Sequence, residues 1–218
     1  MKIHIINEGN SLCNRFLADL RDVAKHADRM RFRRNLERVG EVIAYEISKT
    51  FQYAPVTVQT PINKATVMLP EQEVVIASVL RAGLPFHQGF LNYFDEAGNA
   101  FISARRVYDG THGFKIRYDS VYTPNLEGKQ LLLVDPMLAT GASLKIAYDE
   151  LLQQGGCPHH THIACVIASR QGLDYIQEAL EGQEVTLWLG ALDEGLTEKS
   201  YIDPGLGDAG DLAFGEKI

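Results

Sequence analysis

The most informative stretch of the chain reads Leu131-Leu132-Leu133-Val134-Asp135-Pro136-Met137-Leu138-Ala139-Thr140-Gly141-Ala142-Ser143. Its apolar start, bounded by breakers, indicates a short buried strand, and a helical pattern follows over residues 144–154. Backbone N–H groups of such a loop and the positive end of the helix can bind a phosphate. The carboxylate of Asp135 would repel phosphate but accept hydrogen bonds from hydroxyls. The pattern predicts a sugar-phosphate site, and an ordinary strand-to-helix connection is the alternative.

The bulk properties indicate a globular protein of one domain, or of one domain with a small appendage. The chain has 218 residues, 45% of them hydrophobic and 22% charged, and a net charge of −7. The acidic balance argues against a general nucleic-acid binder. No stretch approaches the roughly 20 apolar residues that span a bilayer, and the start has no signal-peptide pattern, so we expect a cytoplasmic location. The cysteines, Cys13, Cys157 and Cys165, show no Cys-x-x-Cys spacing, which favours reduced thiols.

Strand and helix patterns alternate over much of the chain. The alternation from 74 to 192 predicts βαβ units and a parallel sheet. Ligands bind such sheets at the carboxyl ends of strands, where Arg81, Asp135 and Asp193 fall. The polar, turn-rich segment 108–130 predicts a hairpin or flap. The predicted strands are 74–80, 101–107, 131–134, 162–168 and 185–189, and the predicted helices are 31–50, 144–154 and 171–180.

A second loop is rich in glycine. The segment Tyr201-Ile202-Asp203-Pro204-Gly205-Leu206-Gly207-Asp208-Ala209-Gly210-Asp211 has little helical or strand character. Its Gly-x-Gly-x-x-Gly spacing matches a dinucleotide fingerprint, but too few residues follow for a βαβ unit. Glycines let the backbone approach a ligand closely, so the loop could read the edge of a flat heterocycle through N–H and C=O groups.

Two clusters of polar residues have competing interpretations. His159, His160 and His162 beside Cys157 could bind a metal, but a solvated loop before a strand is the favoured interpretation. Five arginines could bind RNA or phosphate, whereas the interleaved Glu37 and Glu41 favour a solvated helix face. These arginines are Arg29, Arg31, Arg33, Arg34 and Arg38.

Arginines also follow two of the predicted strands. Arg81 comes after the strand at 74–80, and Arg106, with Arg105 beside it, comes near the end of the strand at 101–107. A guanidinium binds phosphate oxygens in a bidentate manner, so two such residues near a phosphate loop could hold a pyrophosphate.

These motifs resemble those of a known family. The run from Asp135 to Gly141 is similar to the loop of type I phosphoribosyltransferases that binds phosphoribosyl pyrophosphate (PRPP), and its Asp-Pro-Met-Leu form resembles the uracil phosphoribosyltransferases. The segment 201–211 resembles that family's uracil-binding segment. Residues 80–84 resemble the end of its first PRPP-contacting strand, and residues 31–46 match a further helix.

The resemblance implies a fold and a reaction. The fold is α/β of the type I phosphoribosyltransferase kind, with a mostly parallel central sheet flanked by helices and a flap or β-arm around 108–130. It implies a single domain over 1–218, with a core of about 70–193 and a hood from 1–50 and 194–218. The implied reaction converts uracil and PRPP to UMP and diphosphate in UMP salvage.

The resemblance also implies a role for each matching position. Asp135, Arg106 and Asp208 would be catalytic, and Arg81 and Arg106 would bind the pyrophosphate. Ile202, Gly207, Asp208 and Ala209 would bind uracil. PRPP would contact Arg81, Arg106, Asp135, Pro136, Met137, Leu138, Ala139, Thr140, Gly141, Ala142, Ser143 and Asp208.

Cofactor and partner expectations follow from the same resemblance. Mg²⁺ would arrive with PRPP rather than on a protein cage, and GTP is a candidate effector. We expect a homodimer or higher homo-oligomer that binds neither nucleic acid nor membrane. Ala142 replaces a glycine usual in the family, so a positive φ there would be costly. The alternative functions are a pyrimidine-responsive RNA-binding regulator on the same fold and a phosphoribosyltransferase for another base.

Overall fold

The computed structural model of the chain describes residues 1–108 and 114–216, and describes only the backbone for 104–108 and 114–119. The strands are β1 Lys2–Ile5, β2 Tyr53–Gln59, β3 Lys64–Pro70, β4 Val74–Leu80, β5 Gly98–Tyr108, β6 Phe114–Tyr122, β7 Gln130–Val134, β8 Met137–Leu138, β9 His160–Ser169, β10 Val185–Asp193, β11 Gly195–Leu196 and β12 Ile202–Asp203. The helices are α1 Cys13–Arg21, α2 Val23–His26, α3 Arg29–Ser48, α4 Gly83–Leu91, α5 Ala142–Gly155, α6 Arg170–Ala179 and α7 Ala209–Phe214.

A mostly parallel sheet forms the centre of the molecule. Its strand order is β1-β10-β9-β7-β4-β5-β6, with β8 added beside β9. The β5–β6 pair is antiparallel and the other pairs are parallel. Helices α1, α3 and α4 pack on one face of the sheet, and α5 and α6 pack on the other. Because both faces are covered, the central strands are continuously apolar, which is typical of parallel sheets. The predicted α/β class is confirmed.

The periodic elements agree with the sequence patterns, and the C-terminal loop does not. The prediction of little regular structure over 201–211 is wrong, since β12 pairs with β11 and α7 begins at Ala209. Asp208 starts this helix, because its Oδ1 accepts a hydrogen bond of 3.0 Å from the backbone N–H of Asp211. That is an N-cap interaction, which stabilises even a short helix. Strand β1 lies at the sheet edge, inside the range predicted for the hood.

The segment predicted as a flap is anchored in its second half. Leu126 is fully buried, and its N–H donates a 2.7 Å hydrogen bond to the carbonyl of Gly155 at the end of α5. The N–H of Gly128 likewise donates to the carbonyl of Cys157. The part that can project from the domain is therefore the β5–β6 hairpin, whose connection at 109–113 lies outside the described residues.

The remaining bulk expectations concern thiols and membranes. All three cysteines are free, Cys13 and Cys165 in the interior and Cys157 on the surface, which confirms the prediction of thiols. Among the described residues, every helix is too short or too polar to cross a lipid bilayer.

The histidines near Cys157 belong to the sheet rather than to a solvated loop. His160 and His162 lie on β9, and only His159 precedes the strand. The indole Nε1–H of Trp188 donates a 3.1 Å hydrogen bond to Nδ1 of the buried His162. The solvated-loop interpretation is therefore wrong for His160, while His162 lies on a strand as its predicted range 162–168 indicates. Among the described residues, no group of three or more metal-ligating side chains forms a metal site.

Burial lowers the pKa of His162 to about 3, with smaller contributions from His160 and His4. An unfolded histidine titrates near 6.5, so between pH 6.5 and 3 the unfolded chain binds the extra proton. We therefore expect His162 to remove up to about 1.4 kcal/mol of folding free energy per pH unit as the pH falls through this range. Chemical denaturation at several pH values measures this slope.

The test compares the wild type with His162→Asn, whose side-chain oxygen can accept the hydrogen bond from Trp188. The variant should show a shallower loss of stability on acidification. His159→Asn, at an exposed position in the same segment, is the matched control and should keep the wild-type slope. Equal slopes in all three proteins would contradict the assignment to His162.

Candidate active site

The loop after β7 is held by the neighbouring strand. The N–H of Asp135 donates to the carbonyl of Ala164 at 3.1 Å, and the N–H groups of Val166 and Ile167 both donate to the carbonyl of Pro136. Strand β8 continues this pairing against β9. Residues 135–138 are therefore an extension of the sheet edge rather than a free loop.

Asp135 carries the carboxylate predicted to bind ribose hydroxyls. Its Oδ1 accepts a 3.3 Å hydrogen bond from the N–H of Met137. Burial raises the pKa of the carboxyl group to about 7, and that hydrogen bond offsets only part of the effect. A carboxylate with so little compensation gains from hydroxyl donors of a ligand, which would satisfy its lone pairs.

The loop turns into α5 at Gly141. This residue has φ +82° and serves as the N-cap, so the helix begins without a side-chain cap. Uncapped N–H groups at a helix start are typical of phosphate sites. Ala142 is the first residue of α5 and has no positive φ. The strain expected at Ala142 is therefore absent, because Gly141 takes the left-handed conformation one residue earlier.

The glycine-rich loop is anchored by a buried ion pair. Both terminal guanidinium nitrogens of Arg21 on α1, Nη1 and Nη2, donate 2.7 Å hydrogen bonds to Asp193 at the end of β10. Arg21 also donates to the carbonyl of Gly205, whose own N–H donates to Asp193 at 2.9 Å. Gly205 has φ +60°, and a Cβ there would collide with the carbonyl of Ile202. The turn at Gly205 therefore requires glycine.

Arginines bind the carboxyl end of α7. Arg33 on α3 donates a 2.7 Å hydrogen bond to the carbonyl of Ala213, and Arg81 lies 3.4 Å from the carbonyl of Gly215 and from Oδ1 of Asp211. Cations at this end of a helix satisfy orphan carbonyls and the helix dipole. The interpretation of the basic run as a solvated face is thus wrong for Arg33, while Arg34 pairs with Glu37 as expected.

The structure brings most of the predicted site residues to one edge of the sheet. Ile202 and Ala209 are buried in the same apolar cluster against which Met137 and Ala139 pack. Arg81 reaches the C-terminal segment through Asp211. The side chain of Arg106 lies outside the described residues, as does that of Arg105, so its predicted contact with PRPP stays a prediction.

A cavity of about 390 Å³ opens beside the glycine-rich loop. Gly207 and Asp208, both predicted to bind ligand, contribute to its wall together with residues from the end of α2 and the start of α3. The full lining is His26, Ala27, Arg29, Gly207, Asp208, Asp211, Leu212 and Glu216.

Sequence reasoning missed the residues that fix the loops in place. Arg21 and Asp193 are 172 positions apart, so no local pattern connects them. The sequence predicts Asp193 at a strand end, but it does not show that this side chain is only 7% exposed. Arg33 lies in a run whose interleaved glutamates suggest only surface pairs.

The architecture and the two loops together define a class. A parallel sheet carries an aspartate-and-glycine loop at one strand end, and a glycine-rich loop is fixed over the same edge. This is the arrangement of a type I phosphoribosyltransferase. A hypoxanthine phosphoribosyltransferase from Staphylococcus aureus shares the fold, with a TM-score of 0.51 at 15% identity over 86% of this chain and 83% of that one.

Residues 9–216 match the family described as uracil phosphoribosyltransferase. A uracil phosphoribosyltransferase of Porphyromonas gingivalis is 50% identical over all 218 residues, and covers 100% of both chains. One from Methanothermobacter thermautotrophicus is 38% identical over 84% of this chain and 83% of its own. The chain belongs to the uracil phosphoribosyltransferase family. A solved structure of an Aquifex aeolicus protein has a TM-score of 0.87 at 29% identity and covers 99% of each chain.

The Arg21–Asp193 pair predicts a local effect of mutation. Arg21→Gln removes both charged hydrogen bonds to Asp193 and leaves its buried carboxylate with the hydrogen bond from the N–H of Gly205. Breaking a partly buried pair should lower the free energy of unfolding by about 2–3 kcal/mol. Amide hydrogen exchange should accelerate most over residues 203–208.

Arg15→Gln is the matched control on the same helix, because the Arg15 side chain is 66% exposed and its partner Asp19 keeps a closer ion pair with Lys25 at 2.8 Å. Its stability should stay within about 1 kcal/mol of the wild type. If both variants lose equal stability and residues 203–208 exchange as in the wild type, the pair does not anchor the loop.

Proposed function

We propose that this chain transfers the phosphoribosyl group of PRPP to N1 of uracil and releases UMP and diphosphate, as in UMP salvage. The observation that carries the proposal is the convergence of two loops at one sheet edge. Asp135–Ser143 offers a carboxylate and a helix start, and Ile202–Asp211 offers backbone groups next to it. One loop suits a sugar phosphate and the other suits a flat base.

The first loop divides PRPP binding between two kinds of group. Asp135 accepts hydrogen bonds from the ribose hydroxyls, and the backbone from Ala139 to Ser143 binds the 5′-phosphate at the start of α5. Arg81, which is 40% exposed, binds the pyrophosphate. Its two contacts to the C-terminal segment are long, at 3.4 Å, so little interaction is lost when it turns to a phosphate.

The second loop selects the base. The backbone of Ile202 and of Gly207 to Ala209 pairs with the donor and acceptor edge of uracil. Cytosine has an acceptor at N3 and a donor at the 4-position, where uracil has a donor and an acceptor, so binding it would leave buried groups unpaired. Selection by backbone groups needs a rigid loop, and the contacts of Asp193 with Arg21 and Gly205 supply that rigidity.

Magnesium fits the acidic side chains beside the loops. Asp208 and Asp211 line the cavity, and carboxylate oxygens are ligands that Mg²⁺ accepts, together with substrate phosphates. When bound, Mg²⁺ neutralises charge on the pyrophosphate. In our proposal Asp208 contributes through its carboxylate while its backbone faces uracil.

The protein's part in the reaction is positioning and charge stabilisation. As the bond between C1′ and the pyrophosphate breaks, positive charge develops on the ribose, and N1 of uracil attacks C1′ and releases its proton to the solvent. Arg81, and Arg106 as predicted, stabilise the leaving group, and the ionised Asp135 holds the ribose. No protein nucleophile is required.

Activation by GTP and a cytoplasmic location stay predictions.

The experiment that tests the function offers PRPP and Mg²⁺ with uracil, cytosine, hypoxanthine or orotate and follows nucleotide formation. We expect UMP from uracil and at most traces from the other bases. Failure to form UMP would sink the proposal, and preference for another base would favour the alternative transferase. The RNA-binding regulator is less favoured, because Arg33, Arg34 and Arg38 are engaged within the protein.

Asp135→Asn in the same assay should lower kcat/KM for PRPP at least tenfold, since an amide binds the ribose hydroxyls less strongly. Wild-type kcat/KM should also fall below about pH 7, where the carboxyl group takes up a proton. The variant should lack this acidic limb. Asp95→Asn, at an exposed position beyond α4, is the control and should keep the wild-type profile.

We also propose that the chain forms a homo-oligomer through the β2–β3 hairpin. The two strands form a sheet of their own, apart from the central sheet. Their register pairs Ala54 with Leu69, Val56 with Val67 and Val58 with Ala65, which puts six apolar residues on one face. Val56, Val58, Val67 and Leu69 are each 37–43% exposed. A two-stranded hairpin is marginal alone, so covering this face with a second copy would stabilise it.

Val67→Asp introduces a charge on the apolar face and should lower the molar mass in solution, as measured by light scattering. Thr66→Asp introduces the same charge on the opposite face of the same strand and should leave the mass unchanged. A monomeric wild type would refute the oligomer. An oligomeric wild type with an unaffected Val67→Asp variant would refute the role of the hairpin.

A further inference from the structure

Helix α6 lies directly against the loop between β7 and α5, although none of its residues is predicted to bind a substrate. Strand β9 fixes the first half of that loop through Pro136 and β8. The second half, from Ala139 to Gly141, has no strand partner. The start of α6 meets the loop at this point.

Ser169 connects the two segments through one hydroxyl group. It ends β9 and is the N-cap of α6, and it is fully buried. Its Oγ–H donates a 2.5 Å hydrogen bond to the carbonyl of Ala139, and the same oxygen accepts a 2.9 Å hydrogen bond from the N–H of Gly172. The hydroxyl therefore caps the helix and fixes a loop carbonyl at the same time.

Two glycines near this hydroxyl allow α6 to lie close to the loop. A Cβ at Gly172 would collide with the carbonyls of Ala139 and Leu138. A Cβ at Gly141 would lie 2.6 Å from Cδ1 of Tyr175 and 3.1 Å from the carbonyl of Gly172. Both glycines are thus required for α6 to approach the loop this closely.

The hydrogen bond to Ala139 has a consequence for the next N–H group. The peptide bond between Ala139 and Thr140 is trans. In a trans peptide the C=O and N–H groups point in opposite directions. Since the carbonyl of Ala139 points to Ser169, the N–H of Thr140 points away from α6.

We infer that Ser169 is a positioning residue for PRPP, which holds the Ala139–Thr140 peptide so that the N–H of Thr140 faces the 5′-phosphate. The inference rests on the proposed function, in which Ala139 to Ser143 bind that phosphate. Without the hydroxyl, the carbonyl of Ala139 loses its partner and the peptide can rotate. The phosphate then loses one donor that was oriented before binding.

The test measures PRPP binding to the full chain by calorimetry with Mg²⁺ and without uracil, and then the KM values during UMP formation. Ser169→Ala should raise the dissociation constant and the KM for PRPP about tenfold, the loss expected for one hydrogen bond to a charged group. The KM for uracil should change less than twofold. Ser169→Thr retains the hydroxyl and should restore most of the PRPP affinity.

Ser78→Ala is the matched control, because Ser78 is also fully buried but its hydroxyl makes no hydrogen bond to the described residues. It should bind PRPP like the wild type. If Ser169→Ala does not fold, Ser169→Cys replaces it, since a thiol of similar size is a weak donor. The same tenfold criterion applies.

The outcomes separate this inference from the proposed function. Unchanged PRPP affinity in Ser169→Ala would overturn the positioning role while leaving the transferase activity intact. Equal losses for PRPP and uracil would also overturn it, because they indicate a general structural role. If the wild type binds PRPP but forms no UMP, the proposal that uracil is the acceptor is refuted, and the binding data still test the role of Ser169. A wild type that binds no PRPP would overturn both.

Discussion

Arg21 donates two hydrogen bonds to Asp193 and a third to the carbonyl of Gly205, so three distant segments of the chain meet at one buried carboxylate. Asp193 ends strand β10, Arg21 ends the first helix, and Gly205 forms the turn of the glycine-rich loop. A carboxylate in this position is costly unless it is paired and hydrogen-bonded. The same pairing therefore satisfies the charge and holds the glycine-rich loop at the end of β10.

Polar satisfaction governs the rest of this region in the same way. The carbonyls at the end of α7 need donors, and these are Arg33 on α3 and Arg81 in the turn after β4. Arg81 thus supports the C-terminal segment and, in the proposed function, binds the pyrophosphate. Its longer and more exposed contacts suit the second role, whereas the 2.7 Å contact of Arg33 suits a fixed support.

The central strands and the longer helices could be predicted from sequence because their apolar patterns are dictated by burial. Helix α7 could not, since a six-residue helix between glycines has too few positions to show a period. The β2–β3 hairpin is not among the predicted strands, because Pro55 and Pro70 interrupt its alternation of apolar and polar residues. The concern about Ala142 followed from the glycine that is usual there in the family, whereas the backbone of this loop has a positive φ at Gly141 and not at Ala142.

Anchoring positions and accessible positions alternate along both loops. In the glycine-rich loop Ile202, Gly205, Leu206 and Ala209 are buried, while Gly207 is exposed and Asp208 is partly exposed. In the loop after β7 Pro136, Leu138 and Gly141 are buried, and Asp135, Ala139 and Thr140 remain partly exposed. Buried residues between accessible ones restrain the backbone on both sides of each proposed contact. Two short loops can therefore present oriented backbone groups to a ligand without losing much conformational entropy when it binds.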